Sequence, residues 1–188
     1  MRISVLGLGH WGTAIANHLA GKGFEVLGWS IEPEVVDGIN RTHQNPKYLS
    51  HVKLAAGLRA TLDLEQVADY DYVILVLPSE VLSRVLPKVP IKPDTIFVSA
   101  VKGIDYESVL TPLECARRFL RIVPELAVIS GPGFAKDVAV GRIVGLVAAS
   151  QREETARRVA DLFSNEGMRV YTSTDPLGVE LGGILKNV

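Results

Sequence analysis

The chain has 188 residues, of which 47% are hydrophobic and 22% charged, and its formal net charge is −1. This is the composition of an ordinary globular protein, and a nearly neutral chain without runs of like charge is not expected to bind nucleic acid or an anionic membrane. No apolar stretch reaches bilayer length, so we expect no membrane span and a cytoplasmic location. The single cysteine, Cys115, excludes a disulfide within these residues, and the four histidines form no metal-ligand pattern, so no metal site is predicted.

Short apolar runs that predict strands alternate along the chain with segments whose periodicity or capping residues predict helices. This alternation predicts an α/β fold with a doubly wound, mostly parallel sheet. The intervening stretch 41–60 is predicted to be irregular. Strands are predicted at 3–6, 24–29, 72–77, 95–99, 126–130, 143–149 and 168–171. Helices are predicted at 13–20, 34–40, 64–68, 112–121, 153–163, from 176 onward, and from Ser79, as its cap, to Leu86.

A glycine-rich segment, Gly7-Leu8-Gly9-His10-Trp11-Gly12, has the spacing G-x-G-x-x-G between the first predicted strand and the first predicted helix. Gly7 permits a tight turn, Gly9 lets a pyrophosphate approach the bare backbone, and Gly12 lets the helix pack close to the strand. The helix N-terminus offers free N–H groups and a partial positive charge to phosphates. A turn without a ligand is the alternative, but the strand–turn–helix context favours a Rossmann-type dinucleotide site.

Five motifs follow one another along nearly the whole chain. They are Gly7-x-Gly9-x-Trp11-Gly12-Thr13-Ala14, Asn45-Pro46-Lys47-Tyr48-Leu49, Lys102-Gly103, Ser130-Gly131-Pro132-Gly133-Phe134-Ala135 and Gly178-Val179-Glu180-Leu181-x-Gly183-x-x-Lys186-Asn187. In this order they resemble the NAD(P)-dependent glycerol-3-phosphate dehydrogenases. The resemblance implies NAD or NADP as cofactor and reversible hydride transfer between NAD(P)H and dihydroxyacetone phosphate. The product, sn-glycerol 3-phosphate, is a precursor of glycerophospholipids.

Two alternatives remain open at this point. One is a related two-domain dehydrogenase acting on a 3-hydroxy acid or on 6-phosphogluconate, against which the Lys102-Gly103 and Lys186-Asn187 segments argue. The other is a non-catalytic module that binds NAD(H).

The resemblance also assigns cofactor contacts. Trp11 lies by the cofactor in the family, although a place in the core is the alternative for a tryptophan. The cofactor contacts implied are Gly7, Gly9, His10, Trp11, Gly12, Ser30, Lys102 and Ala135.

Coenzyme preference depends on the residues after the second strand, where an acidic side chain favours NAD and an arginine favours NADP. Family members often carry an arginine directly after the tryptophan of this strand. Here Ser30-Ile31-Glu32 follows Trp29. The absence of the arginine and the presence of Glu32, slightly late, favour NADH over NADPH. Glu32 can alternatively favour the N-terminus of the next helix.

The resemblance also implies that two lysines and two glycines contact the substrate. Lys186 matches the catalytic lysine of the family and is also a substrate contact; its ammonium can protonate a carbonyl oxygen, for which its pKa must fall toward neutrality. Lys102 matches a second lysine that touches substrate and cofactor. Gly131 and Gly133 are implied substrate contacts, but the family usually has serine or threonine where Gly133 stands, so a hydroxyl contact is replaced by backbone.

The segment after residue 175 begins a helix that the sequence ends without a stop signal. We therefore expect residues 1–175 to form the dinucleotide-binding domain and residues 176–188 to start an interdomain helix that leads to a missing substrate domain. An isolated chain of this kind is expected to be inactive. A homodimer is possible.

Overall fold

Strands and helices alternate through residues 1–186, the part of the chain that this computed structural model describes. The strands are β1 (Arg2–Leu6), β2 (Glu25–Trp29), β3 (Leu58–Thr61), β4 (Tyr72–Leu75), β5 (Ile96–Ser99), β6 (Glu125–Ser130), β7 (Val144–Ala149) and β8 (Met168–Ser173). The helices are α1 (His10–Gly21), α2 (Pro33–Thr42), α3 (Leu82–Val85), α4 (Pro112–Phe119), α5 (Ala135–Ala139), α6 (Glu153–Phe163) and α7 (Pro176–Leu185).

All eight of these strands belong to one sheet, in the order β3-β2-β1-β4-β5-β6-β7-β8. Strands β1 to β6 run parallel, β7 pairs antiparallel with β6, and β8 runs parallel to β7. The predicted doubly wound, mostly parallel α/β fold is confirmed. The strand order reverses between β1 and β4, and the crevice at the carboxyl ends of such strands is where ligands bind in open α/β sheets.

The core lies on both faces of the sheet. In β1, Ile3 and Val5 belong to one apolar cluster and Leu6 to the other, because successive side chains of a strand point to opposite faces. In β5, Phe97 faces one cluster, and its neighbours Ile96 and Val98 face the other. Burial on both faces is the reason that these strands are unbroken apolar runs.

The stretch predicted to be irregular contains a strand. Residues Leu58–Thr61 form β3 at the edge of the sheet, where Leu58 pairs with Val26 and Thr61 with Trp29. The prediction was wrong here because the four-residue strand carries an exposed charged residue, Arg59, and depends on β2 for its hydrogen bonds. Helix α5 was also missed, since five residues are too few for a helical period to show.

The helix predicted after Ser79 is broken into three pieces. A 3₁₀ turn (Ser79–Val81) precedes α3, and a second 3₁₀ turn (Leu86–Lys88) follows it. Ser79 lies inside the first turn and does not cap a helix through its side chain. Pro87 stands in the second turn, and proline lacks the N–H that a continuing helix would need. The helix predicted at 64–68 is likewise a 3₁₀ turn (Leu64–Val67).

Helix α4 begins with the predicted capping box, in which the Glu114 N–H donates to the Thr111 hydroxyl and the Thr111 N–H donates to the Glu114 carboxylate. It ends at Phe119, two residues before the predicted end. Helix α7 begins after Asp175, whose carboxylate accepts the Gly178 N–H at 2.9 Å. Its last predicted residues, 187–188, lie outside the described residues.

Helix α7 makes two close contacts, one with the sheet and one with α4. A Cβ at Gly183 would lie 2.5 Å from the Ser130 hydroxyl at the end of β6, so glycine permits this approach without displacing that hydroxyl. The buried Glu180 carboxylate accepts the Leu113 N–H at 2.9 Å and thereby satisfies a free donor in the first turn of α4. Burial raises the pKa of Glu180.

Two kinds of feature are absent from the described part of the chain. None of the helices formed by residues 1–186 combines the length and the apolar character that crossing a bilayer requires. The same residues contain no group of three or more His, Cys, Asp or Glu side chains placed to hold a metal ion.

Candidate functional site

The glycine turn is shaped by three different requirements. Gly7 has φ +105°, and a Cβ there would lie 2.7 Å from the Val76 carbonyl oxygen at the end of β4. At Gly12 a Cβ would lie 1.8 Å from the Gly7 carbonyl oxygen, so α1 packs directly on the turn. At Gly9 a Cβ would meet nothing within 4 Å. The space in front of Gly9 at the start of α1 is therefore an open cradle that a side chain would fill, and it fits a pyrophosphate.

A cleft of about 590 Å³ lies at the carboxyl ends of β1, β2, β4 and β5, within the size range of small-molecule sites. Its far wall is apolar and includes Leu77, Val81 and Val101. The residues predicted to contact a cofactor all line this cleft: Gly7, Gly9, His10, Trp11, Gly12, Ser30, Lys102 and Ala135. Their contacts with a cofactor stay a prediction.

Trp11 belongs both to the cleft and to the core, the two alternatives that its sequence position left open. It lines the cleft and packs partly buried against the larger apolar cluster. Its Nε1 is buried and has no hydrogen-bond partner within residues 1–186. An unpaired buried donor beside a cleft is a group that a ligand oxygen can satisfy.

A buried asparagine joins the loop after α2 to the glycine turn. The Asn45 amide donates to the Leu8 carbonyl oxygen at 3.0 Å and to the Thr13 hydroxyl at 2.8 Å. Its side-chain oxygen accepts the N–H groups of Lys47 and Tyr48 at 3.2 and 3.0 Å. Asn45 is fully buried, so this network fixes the loop to the first turn of α1. Sequence reasoning marked Asn45 as part of a motif without assigning this role.

At the β2 end of the cleft, the buried Ser30 hydroxyl accepts the Glu32 N–H at 3.1 Å. The Glu32 carboxylate forms an ion pair with Lys47 and accepts the Tyr48 hydroxyl at 3.3 Å. It makes these contacts instead of a side-chain capping bond to α2. The Tyr48 ring also packs edge-on against His10, with ring centres 5.1 Å apart. Sequence reasoning missed Lys47 and Tyr48 as neighbours of the cleft, although both lie in a quoted motif.

At the opposite end of the cleft the two predicted lysines are brought together. The Lys102 ammonium lies 5.2 Å from the centre of the Trp11 ring and 3.5 Å from the Gly133 carbonyl oxygen. The Lys186 ammonium lies 4.3 Å from the centre of the Phe134 ring. Partial burial lowers the pKa of Lys102, and the nearby Lys186 ammonium lowers it further. Two converging cations are suited to stabilise a developing oxyanion.

The two predicted substrate glycines have different surroundings. Gly131 has φ +151°, and a Cβ there would lie 2.9 Å from the Gly145 carbonyl oxygen, so the turn after β6 requires glycine. Gly133 lines the main cleft, where a Cβ would lie 3.7 Å from Trp11 and 3.3 Å from Leu146. Gly131 and Lys186 line a second cavity of about 310 Å³ between β6 and α7. The predicted substrate residues are therefore divided between two cavities.

Comparison with known proteins identifies the family. A family model described as the N-terminus of NAD-dependent glycerol-3-phosphate dehydrogenase matches residues 2–156. The chain belongs to this family. The resemblance inferred from its motifs is thereby confirmed, and the family's cofactor agrees with the prediction of NAD or NADP.

Relatives named glycerol-3-phosphate dehydrogenase [NAD(P)+] match the chain over its full length. The relative from Geobacter metallireducens is 41% identical over 192 residues, and that from Nitratidesulfovibrio vulgaris is 41% identical over 194 residues. The chain spans 57% and 58% of these two proteins, respectively.

Solved glycerol-3-phosphate dehydrogenase structures share the fold. The Coxiella burnetii enzyme has a TM-score of 0.89 at 31% identity, covering 97% of this chain and 56% of its own. The Plasmodium falciparum enzyme has a TM-score of 0.90 at 28% identity, covering 100% of this chain and 56% of its own.

Proposed function

We propose that this member of the glycerol-3-phosphate dehydrogenase family binds NAD(H) or NADP(H) in the main cleft and contributes two lysines to the interconversion of dihydroxyacetone phosphate and sn-glycerol 3-phosphate. One observation carries the proposal: a single cleft runs from an open glycine turn, suited to a pyrophosphate, to the Lys102 ammonium beside Lys186. The bound nicotinamide would supply or accept the hydride.

The chain's own residues account for the remaining requirements. The free N–H groups at the start of α1 bind the pyrophosphate, and the apolar wall of the cleft excludes water from the cofactor. In the reducing direction the Lys186 ammonium gives a proton to the carbonyl oxygen of the substrate, and in the oxidising direction the amine takes it back. The Lys102 ammonium stabilises the charge that develops on that oxygen.

Aromatic rings and a backbone oxygen position the two lysines. The Phe134 ring beneath Lys186 is a face on which an ammonium is favourably placed. Lys102 is held between the Trp11 ring and the Gly133 carbonyl oxygen, so position 133 contacts this lysine through its backbone.

Four expectations from the sequence remain proposals. We infer that residues 1–175 form the dinucleotide-binding domain and that residues 176–188, of which 187–188 lie outside the described residues, start an interdomain helix leading to a substrate domain. A cytoplasmic location and a homodimer are likewise kept as proposals; they rest on the composition and on the resemblance to the family.

A chimera tests the catalytic assignment. This chain is joined to the part of the Geobacter metallireducens relative that the alignment does not cover, and NADH oxidation with dihydroxyacetone phosphate is followed by absorbance. We expect turnover that Lys186→Ala lowers by about 10²–10⁴-fold, the range for loss of a general acid. Lys88→Ala is the control, because Lys88 is exposed and lines neither cavity that holds the predicted site residues. It should leave turnover unchanged.

Either of two results contradicts the assignment. Full turnover by Lys186→Ala would remove this lysine from the chemistry. A folded chimera that binds NADH but does not oxidise it would favour the alternative of a non-catalytic NAD(H)-binding module.

A further inference from the structure

A charged pair stands at the β2 end of the main cleft. The Lys47 ammonium and the Tyr48 hydroxyl both donate to Oε1 of Glu32, and Glu32 and Tyr48 line the cleft. The hydrogen bond to Glu32 raises the pKa of Lys47, so the ammonium stays charged. A second carboxylate, that of Glu34, lies 3.8 Å from the same ammonium, but Glu34 is more exposed than Glu32 and does not line the cleft.

The backbone of Lys47 is fixed relative to the glycine turn. Asn45 accepts the Lys47 N–H and donates to the Leu8 carbonyl, so the loop carrying Lys47 is tied to the segment that would hold the pyrophosphate. The following residue, Tyr48, is tied to the same asparagine. The Lys47 side chain is about half exposed, so its flexible end can move to pair with a different anion while the backbone stays fixed.

The position of the Glu32–Lys47 pair places it where the ribose of a bound coenzyme would lie. When a pyrophosphate lies on the glycine turn, the adjoining ribose lies at the carboxyl end of the second strand. NAD carries a 2′-hydroxyl there, which can donate to a carboxylate, whereas NADP carries a 2′-phosphate, which a carboxylate repels and an ammonium attracts. Glu32 and Lys47 therefore have opposite effects on the two coenzymes.

We propose that Glu32 and Lys47 together form a coenzyme selector, in which Glu32 accepts the 2′-hydroxyl of NAD(H) and at the same time withholds Lys47 from the 2′-phosphate of NADP(H). The selector rests on the proposed function, because it requires a dinucleotide in the cleft. It predicts two effects of removing the charge of Glu32. The repulsion between Glu32 and the 2′-phosphate is abolished, and the Lys47 ammonium becomes free to pair with that phosphate.

The test compares dissociation constants of NADH and NADPH, measured by fluorescence titration of the chain. The variants are Glu32→Gln, Lys47→Met and the double variant, with Glu34→Gln as matched control because Glu34 also lies near Lys47 but outside the cleft. Glu32→Gln should shift the preference toward NADPH by about tenfold, as for one charge-assisted hydrogen bond gained. In the Lys47→Met background, Glu32→Gln should shift the coenzyme preference by much less. The control variant Glu34→Gln should shift the preference by less than about twofold. Thermal unfolding shows that each variant is folded.

Three outcomes would overturn the selector. If NADH binds but Glu32→Gln leaves the preference unchanged, Glu32 does not face the ribose. If Glu32→Gln shifts the preference equally with and without Lys47, the lysine is not a partner of the phosphate and the pair does not act as a unit. If folded wild-type protein is saturated by neither coenzyme, the proposed function falls together with the selector, which distinguishes that failure from the first two.

Discussion

The two ends of the main cleft are built in different ways. The glycine-turn end comes from the first 48 residues and is fixed by backbone contacts, such as the direct packing of Gly12 on Gly7. The lysine end is assembled from Lys102, Phe134 and Lys186, which are far apart in the chain, and it is open to solvent, since Phe134 is 62% exposed. The proposed site for cofactor binding is thus preformed, whereas the residues proposed for the chemistry are only brought together at an open edge.

The largest effect expected from this difference is on turnover. The 188-residue chain should bind NADH but show no detectable NADH oxidation with dihydroxyacetone phosphate. Positioning of the substrate in a closed site contributes about 7–11 kcal/mol to lowering a barrier, and the open lysine end does not enclose a small phosphate ester. Absorbance assays beside a binding titration measure both properties. Turnover by this chain that Lys186→Ala abolishes would show that the lysine end is sufficient by itself.

The next effect concerns the rigidity of the glycine-turn end. Gly12→Ala should lower the free energy of unfolding by about 3 kcal/mol or more, because its Cβ would lie 1.8 Å from the Gly7 carbonyl oxygen. Gly21→Ala, at the other end of α1, is the control: its Cβ meets nothing within 4 Å, and the change should stay within about 1 kcal/mol. Urea unfolding compares the two. Equal midpoints for the two variants would mean that the turn yields readily and is not preformed.

A smaller effect separates binding from folding at the same end. Gly9→Ala should leave the unfolding midpoint almost unchanged, because the space at Gly9 is open within the described chain. It should weaken NADH binding by about tenfold, since the added methyl occupies the approach of the pyrophosphate. Titration with NADH measures the change in affinity, and the urea unfolding curve measures the change in midpoint. Unchanged affinity would place the pyrophosphate away from Gly9.

The smallest effect is a pH dependence at the lysine end. Partial burial and the Lys186 ammonium hold the pKa of Lys102 below its ordinary value of 10.5. Between the lowered and the ordinary pKa the unfolded chain binds more protons than the folded one, so stability rises with pH in that window and the folded state is penalised at all lower pH values. Lys102→Met should therefore raise the unfolding midpoint at neutral pH, and the gain should shrink as the pH approaches 10.5.

Urea unfolding at neutral and at alkaline pH measures the gain, and Lys88→Met, at an exposed position, serves as the control. A gain that is independent of pH would trace the effect to packing of the methionine and not to the charge of Lys102.

Sequence reasoning succeeded where the signal was local. The glycine turn, the capping box of α4 and the buried strands β4 and β5 all carry their evidence within a few residues, because turn geometry, capping and burial on two faces each restrict neighbouring residue types. Sequence reasoning failed at β3, whose four residues are a strand only because β2 offers them hydrogen bonds. It also failed after Ser79, where the expected helix is divided into 3₁₀ turns on either side of the short helix α3.

The amino-acid sequence by itself determined the doubly wound fold, the glycine cradle at the start of α1 and the family, since each follows from residue types at fixed spacing. Tertiary structure alone decided which charges meet. Residues 32 and 47 pair at one end of the cleft, and residues 102 and 186 meet at the other, because separate strands and loops place them there. Spacing along a chain specifies backbone geometry, but an ion pair, or a pKa lowered by a neighbouring charge, depends on distances through space.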